Sequence, residues 1–202
     1  MAIVIFVRHG QSETNLNKVL SSKTDGYPLT ELGISQAREV AQKLQKIQKP
    51  ACFFSSPIQR AIQTAQIISE AIAVRPKLEE RIRERGFGSF EDMGFESKEI
   101  MRRFVADEIR SDYSRGMEGW ETLKGRMRGF MEGLPEGVSL AISHYDPIRA
   151  AVAAIDKKYD DDLMPNAQAP IPNSSITVLD IANRKIIQMG KGTIDGGLPF
   201  SK

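Results

Sequence analysis

Scarcity is the first informative property of this 202-residue chain. Cys52 is its one cysteine, which excludes an internal disulfide and any cysteine-built metal cluster. The apolar stretch from Ala2 to Val7 ends at Arg8, too short for a signal peptide or a membrane span. The expectation is therefore a cytoplasmic protein with no membrane partner. Neither charge dominates: 28 Lys and Arg against 26 Asp and Glu leave a formal net charge of +2. So small an excess argues against a nucleic-acid surface, although a local basic pocket is compatible with it. Histidine is nearly as rare as cysteine, with only His9 and His144.

Hydrophobic residues make up 41% of the chain and charged ones 27%, as expected for a globular protein able to bury a core. Residues 3–7 (IVIFV) and 138–143 (VSLAIS) read as strands buried on both faces, and 51–54 (ACFF) as a further strand. A helix fits 31–47, with Thr30 as its cap and Ala37, Val40, Ala41 and Leu44 at helical spacing. Ser56 and Pro57 mark the next helix start, with Pro57 at the first helical position. Residues 75–92 read as mostly loop, and amphipathic helices follow near 96–112 and 120–134. A helix from Asp146-Pro147 runs through Ile155, and strands fall near 175–181 and 185–189. The alternation gives an α/β fold, a mainly parallel sheet flanked by helices on both faces. Residues 1–202 read as one domain with an inserted helical lobe at about 93–135. The glycine-rich tail from Gly190 reads as a mobile segment or a lid.

Both histidines directly follow expected strands, at the sheet edge where α/β proteins bind ligands. Each has arginine company: Arg8 beside His9, Arg149 on the helix after His144, and Arg60 early in the helix after ACFF. Paired histidines also suit a metal, but guanidinium groups repel cations and bind oxyanions, so phosphate or sulfate fits better than zinc. Arg149 is read as solvated. Gly10, Ser12, Thr14 and Asn15 supply donors of the kind that cradle an anion.

Arg8-His9-Gly10-Gln11-Ser12-Glu13-Thr14-Asn15 resembles the R-H-G-[QE]-[ST]-x-x-N signature of the histidine phosphatase superfamily, the phosphoglycerate-mutase-like enzymes. Three further stretches resemble the family's pattern in order: Pro28 to Gly33, Ser55-Ser56-Pro57 with Arg60, Ala61 and Thr64, and Glu84 with Phe87-Gly88. Ser143-His144 matches the second histidine signature. The resemblance implies that His9 is the nucleophile and becomes phosphohistidine. It also implies that Arg8, Arg60 and His144 bind phosphoryl oxygens with Asn15 assisting, and that Glu84 moves the proton of the leaving oxygen. Ser12 and Tyr145 are further candidates for phosphate or substrate contact. Tyr145 replaces the glycine many members have there, so it narrows the pocket or touches substrate.

Glu91 is read as structural, and Asp146 as a helix cap in preference to a group near the site. The implied activity is a metal-independent phosphohydrolase acting on small phosphorylated metabolites. A 2,3-bisphosphoglycerate-dependent phosphoglycerate mutase is the alternative, with that bisphosphate as phosphodonor. A non-catalytic phosphate-binding module ranks third. Lys98, Arg102 and Arg103, which would serve a mutase by gripping a carboxylate, read instead as an exposed basic helix face. No cofactor beyond that phosphodonor is implied, and the partners are a small phosphorylated substrate and, if oligomeric, a second copy in a homodimer.

Overall fold

A computed structural model describes residues 2–160 and 170–193. Six strands form one sheet in the order β3-β2-β4-β1-β5-β6. They are β1 (Ala2–Arg8), β2 (Cys52–Ser55), β3 (Lys77–Leu78), β4 (Gly137–Ser143), β5 (Ile176–Asp180) and β6 (Lys185–Lys191). The pairings β3-β2, β2-β4 and β4-β1 are parallel, whereas β5 and β6 add antiparallel strands beside β1. The α/β class and the mainly parallel sheet expected from the sequence are both present. β1 and β4 lie at the centre and are buried on both faces, which is why their apolar residues run without alternation.

Helices α1 (Glu13–Asn17), α2 (Glu31–Leu44), α3 (Gln59–Ile72), α4 (Lys98–Ile109), α5 (Trp120–Glu132) and α6 (Tyr145–Ile155) complete the fold. Val40, Leu44, Ala61, Ala65 and Ile68 of α2 and α3 pack with Ile3, Ile5 and Val7 on one face. Leu123, Met127, Phe130 and the apolar residues of α6 pack with Val4 and Phe6 on the other. The stretch expected as one helical lobe is divided between two clusters. α5 belongs to the second main core, while Phe104 of α4 packs with Phe87, Phe90 and Met117 in a separate small cluster.

Thr30 caps α2 as expected, its hydroxyl accepting from Gly33 N at 3.1 Å. Two local expectations are corrected. α3 starts at Gln59, after Ile58, because Ser56 N is still bonded to Ile142 O and the chain must turn before winding. Pro57 therefore precedes the helix. α6 is capped by His144, and Asp146 is its second residue, where the carboxylate meets Arg149 Nη1 at 3.3 Å. Residues 75–92 are mostly loop as expected, interrupted by the edge strand β3 and two 3₁₀ turns, Glu80–Ile82 and Gly88–Phe90. The expected tail beyond residue 193 lies outside the described residues. No helix among the described residues is long and apolar enough to cross a membrane.

Candidate active site

Parallel register builds the site. Arg8 pairs with Ser143 and Ser55 with Ile142, so β2, β4 and β1 deliver Ser56, His144 and His9 side by side at one sheet edge. His9 N donates to Ser143 O at 3.0 Å. The two imidazole centroids are 5.0 Å apart. The loop after His9 is held against the start of α2 by backbone contact. A Cβ on Gly10 would lie 2.3 Å from Gly33 O, and one on Gly33 would lie 1.9 Å from Gln11 O. Two of the sequence signatures, R-H-G and P-L-T-x-x-G, thus meet backbone to backbone. Gly10 N also donates to Thr64 Oγ1 at 3.1 Å, which ties in the α3 signature.

His9 has a defined tautomer. Its Nδ1 lies 2.7 Å from Gly10 O, an atom that can only accept, so Nδ1 carries the hydrogen. Nε2 keeps a lone pair and accepts from Arg60 Nε at 3.2 Å. Burial, then Arg60 and Arg8, holds the His9 pKa well below the ordinary histidine value. Burial, Arg60 and His9 act the same way on His144. His144 Nε2 pairs with Ser56 Oγ at 2.7 Å.

Arg60 also donates to Ser21 O at 2.9 Å, and Arg8 to Ile171 O at 2.8 Å. Three buried nitrogens in this cluster have no hydrogen-bond partner: Arg8 Nε, Arg60 Nη1 and His144 Nδ1. Buried donors are ordinarily satisfied, so three together point to an anionic ligand.

A cavity of about 370 Å³ opens at this edge, lined by Arg8, His9, Asn15, Arg60, Glu84 and Tyr145 among others. Glu84 is 8% exposed and accepts from Arg85 N at 2.9 Å. Burial, with the neighbouring Asp146 carboxylate second, raises its pKa to about 7 against the opposing pull of Arg60. His144 is fully buried behind His9 and is not on the cavity wall. Asn15 Oδ1 accepts from Ser12 N, Ser12 Oγ and Asn173 Nδ2, and Asn15 lines the cavity. The structure does not bring Ser12 to the cavity: it is fully buried, capping α1 and bonded to Thr14. Tyr145 stacks its ring against the Arg8 and Arg149 guanidiniums.

Arg149 is not solvated as expected. It is 5% exposed, lies over the Trp120 and Tyr145 rings, and lines the cavity. Lys98, Arg102 and Arg103 are exposed and line no part of it. Glu91 accepts from Ser22 N and Phe87 N, a structural role as expected.

Sequence reasoning passed over Arg126, which donates to Arg81 O, Arg83 O and Glu84 O and so clamps the backbone around Glu84. It also passed over Asn173, bonded to His9 O. Neither stands near a recognisable signature. No group of three or more His, Cys, Asp or Glu side chains among the described residues is placed to hold a metal ion.

A 2,3-bisphosphoglycerate-dependent phosphoglycerate mutase from Thermoplasma acidophilum is 33% identical over 94% of this chain and 92% of its own. Fructose-2,6-bisphosphatase TIGAR B from Danio rerio is 33% identical over 63% of this chain and 51% of its own. In fold, the chain is similar to a phosphoserine phosphatase from Entamoeba histolytica solved with 3-phosphoglyceric acid, with a TM-score of 0.76 and 24% identity over 95% of this chain and 98% of that one. The model of the histidine phosphatase superfamily (branch 1) matches residues 4–189, and the chain belongs to that family.

Proposed function

We propose that this protein is a phosphomonoester hydrolase working through a phosphohistidine on His9. One observation carries the reading. His9 Nε2 presents a lone pair inside a cluster of guanidiniums with unpartnered N–H groups, and Glu84 lines the same cavity as a half-ionised acid near neutral pH.

In the first step, the Nε2 lone pair attacks phosphorus and the bond to the ester oxygen breaks. That oxygen leaves with the proton of Glu84. In the second step, water attacks phosphorus, gives its proton to the Glu84 carboxylate, and the P–N bond electrons return to Nε2. Arg8 and Arg60 line the cavity and stabilise the equatorial oxygens, where phosphoryl transfer gains most from positioning and fixed charge, while His144, off the wall beside His9, contributes through its unpartnered Nδ1. With the Ser56 hydroxyl donating to Nε2, the His144 proton sits on Nδ1, the nitrogen without a partner. Asn15 adds an amide donor. The positive charge is supplied by side chains, so the proposal calls for no metal and no bound cofactor.

A mutase is the second reading, favoured by the 33% identity to the Thermoplasma enzyme along most of both chains. In that case 2,3-bisphosphoglycerate would charge His9 and a phosphoglycerate would replace water. Against it, Lys98, Arg102 and Arg103 stand outside the cavity.

The test is brief mixing with a labelled phosphodonor, followed by incubation with 3-phosphoglycerate and 2,3-bisphosphoglycerate. Acid-labile label on the wild type and none on His9→Ala is the expected result. Labelling of His9→Ala at the normal level would overturn the nucleophile. Isomer interconversion faster than phosphate release would transfer the conclusion to the mutase.

A further inference from the structure

The wall of the cavity away from His9 has a composition that phosphoryl chemistry does not require. Val19 and Leu20 approach from the turn after α1, Phe87 and Phe95 from the loops after Glu84, and Met101 and Phe104 from α4. Phe104 is 8% exposed and packed edge-on to Phe90, whereas Phe95 is 38% exposed at the rim.

The cations on this side are each committed to a carboxylate. Arg85, 1% exposed, pairs with Glu108, donates Nε to Glu118 O at 2.7 Å and lies over the Phe104 ring. Arg149 pairs with Asp146. Asp146 and Glu84, both close enough to act on Arg8 at the inner end, add acidic groups to the same cavity. A second anionic group on the substrate would therefore meet carboxylates and cations already neutralised by them. An uncharged hydrocarbon would meet six apolar side chains instead. The volume of about 370 Å³ lies within the roughly 300–1,000 Å³ of small-molecule sites, enough for a phosphoryl group and a modest hydrophobic tail.

We infer that the substrates are phosphate monoesters of apolar alcohols or phenols, in place of phosphorylated acids carrying a second negative charge. This rests on the hydrolase reading above. The products are the free alcohol or phenol and inorganic phosphate, with water as the only co-reactant. The Glu84 proton leaves on the ester oxygen and is replaced by one from water.

Discrimination comes from burying hydrocarbon on the apolar wall. Each methylene fully transferred from water is worth roughly a fourfold gain in kcat/KM, and partial burial gives less.

The experiment compares the phosphate esters of ethanol, hexanol and 2-phenylethanol, three primary alcohols of similar basicity, with 3-phosphoglycerate. Phosphate release is read on the wild type and on Phe95→Ala. Binding of ethylphosphonate and hexylphosphonate, which cannot be hydrolysed, is measured in parallel by calorimetry. Expected are a kcat/KM for the hexyl and phenylethyl esters at least about tenfold above both the ethyl ester and 3-phosphoglycerate, tighter binding of hexylphosphonate, and a smaller hexyl preference in Phe95→Ala. Equal values across the series, or a preference for 3-phosphoglycerate, would overturn the inference while leaving His9 chemistry standing. No turnover of any ester, with no label on His9, would overturn the hydrolase reading as well.

Discussion

The two ends of the cavity are built in opposite ways. The inner end hangs on adjacent strands at the centre of the sheet: β1 ends in Arg8 and leads to His9, and β4 leads to His144. Its side chains are buried, cationic and held by backbone carbonyls such as Gly10 O, Ser21 O and Ile171 O. The outer end is assembled from loops and α4 around a small apolar cluster apart from the two main cores. On the proposed reading, reaction and selectivity rest on separate pieces of the fold, the first on strand register and the second on side-chain volume. Glu84 and Arg85 join them. The Glu84 carboxyl serves the inner end, and the next side chain anchors α4 through Glu108.

The comparison is broken most severely at Glu84. Glu84→Gln keeps the shape and loses the proton, so turnover of alkyl esters should fall roughly 10²–10⁴-fold, measured as phosphate release. In the wild type the acid is needed protonated, while His9 is held neutral far below its ordinary range. The kcat/KM for alkyl esters, which reports the first step, should therefore be level in mild acid and fall as pH rises through about 7. Stability follows the same sign. A carboxyl raised to about 7 favours the fold while protonated, and that contribution is lost as pH rises through this value. Charging it costs on the order of 3 kcal/mol. Urea titrations at pH 8 should then find Glu84→Gln more stable than the wild type by up to about this amount, with the gap closing near pH 5.

A second break acts on the outer end. Glu108→Ala removes a carboxylate that pairs with the buried Arg85 guanidinium and accepts from Tyr113 OH and Trp120 N. The expected loss is about 3–5 kcal/mol in denaturant titrations. Hydrogen exchange should quicken in α4 well before β1 and β4.

The finest adjustment is at the inner end. Ser56→Ala deletes the partner of His144 Nε2, for which about 1 kcal/mol of stability is expected, together with a several-fold lower kcat. A change in KM alone would mean that His144 holds its orientation without that hydroxyl.

Legibility in the sequence divides along the same line. β1 and β4 could be read because uninterrupted apolar runs are distinctive, and His9, Arg60 and His144 because they leave such elements in a recognised order. The start of α3 was misplaced because Ser56 is held by the sheet and by His144, contacts that local residue preference does not register. Arg149 was misread because its burial depends on Trp120 and Tyr145, one of them 29 positions away and on a different helix. The apolar wall was illegible for a subtler reason. Met101 and Phe104 have the spacing of any core-facing helix, and only the folded chain turns part of that face towards a cavity.

The tight crossing of Gly10 over Gly33 has a consequence for how this chain can change. A methyl group on Gly10 would need the room of the Gly33 carbonyl, and one on Gly33 the room of the Gln11 carbonyl, so neither accepts even alanine unless the whole entry into α2 recedes. Recession would carry with it the carbonyl that fixes the His9 ring. Two glycines 23 residues apart are thereby held to the same requirement by a single backbone contact, which a change at either one would spread apart.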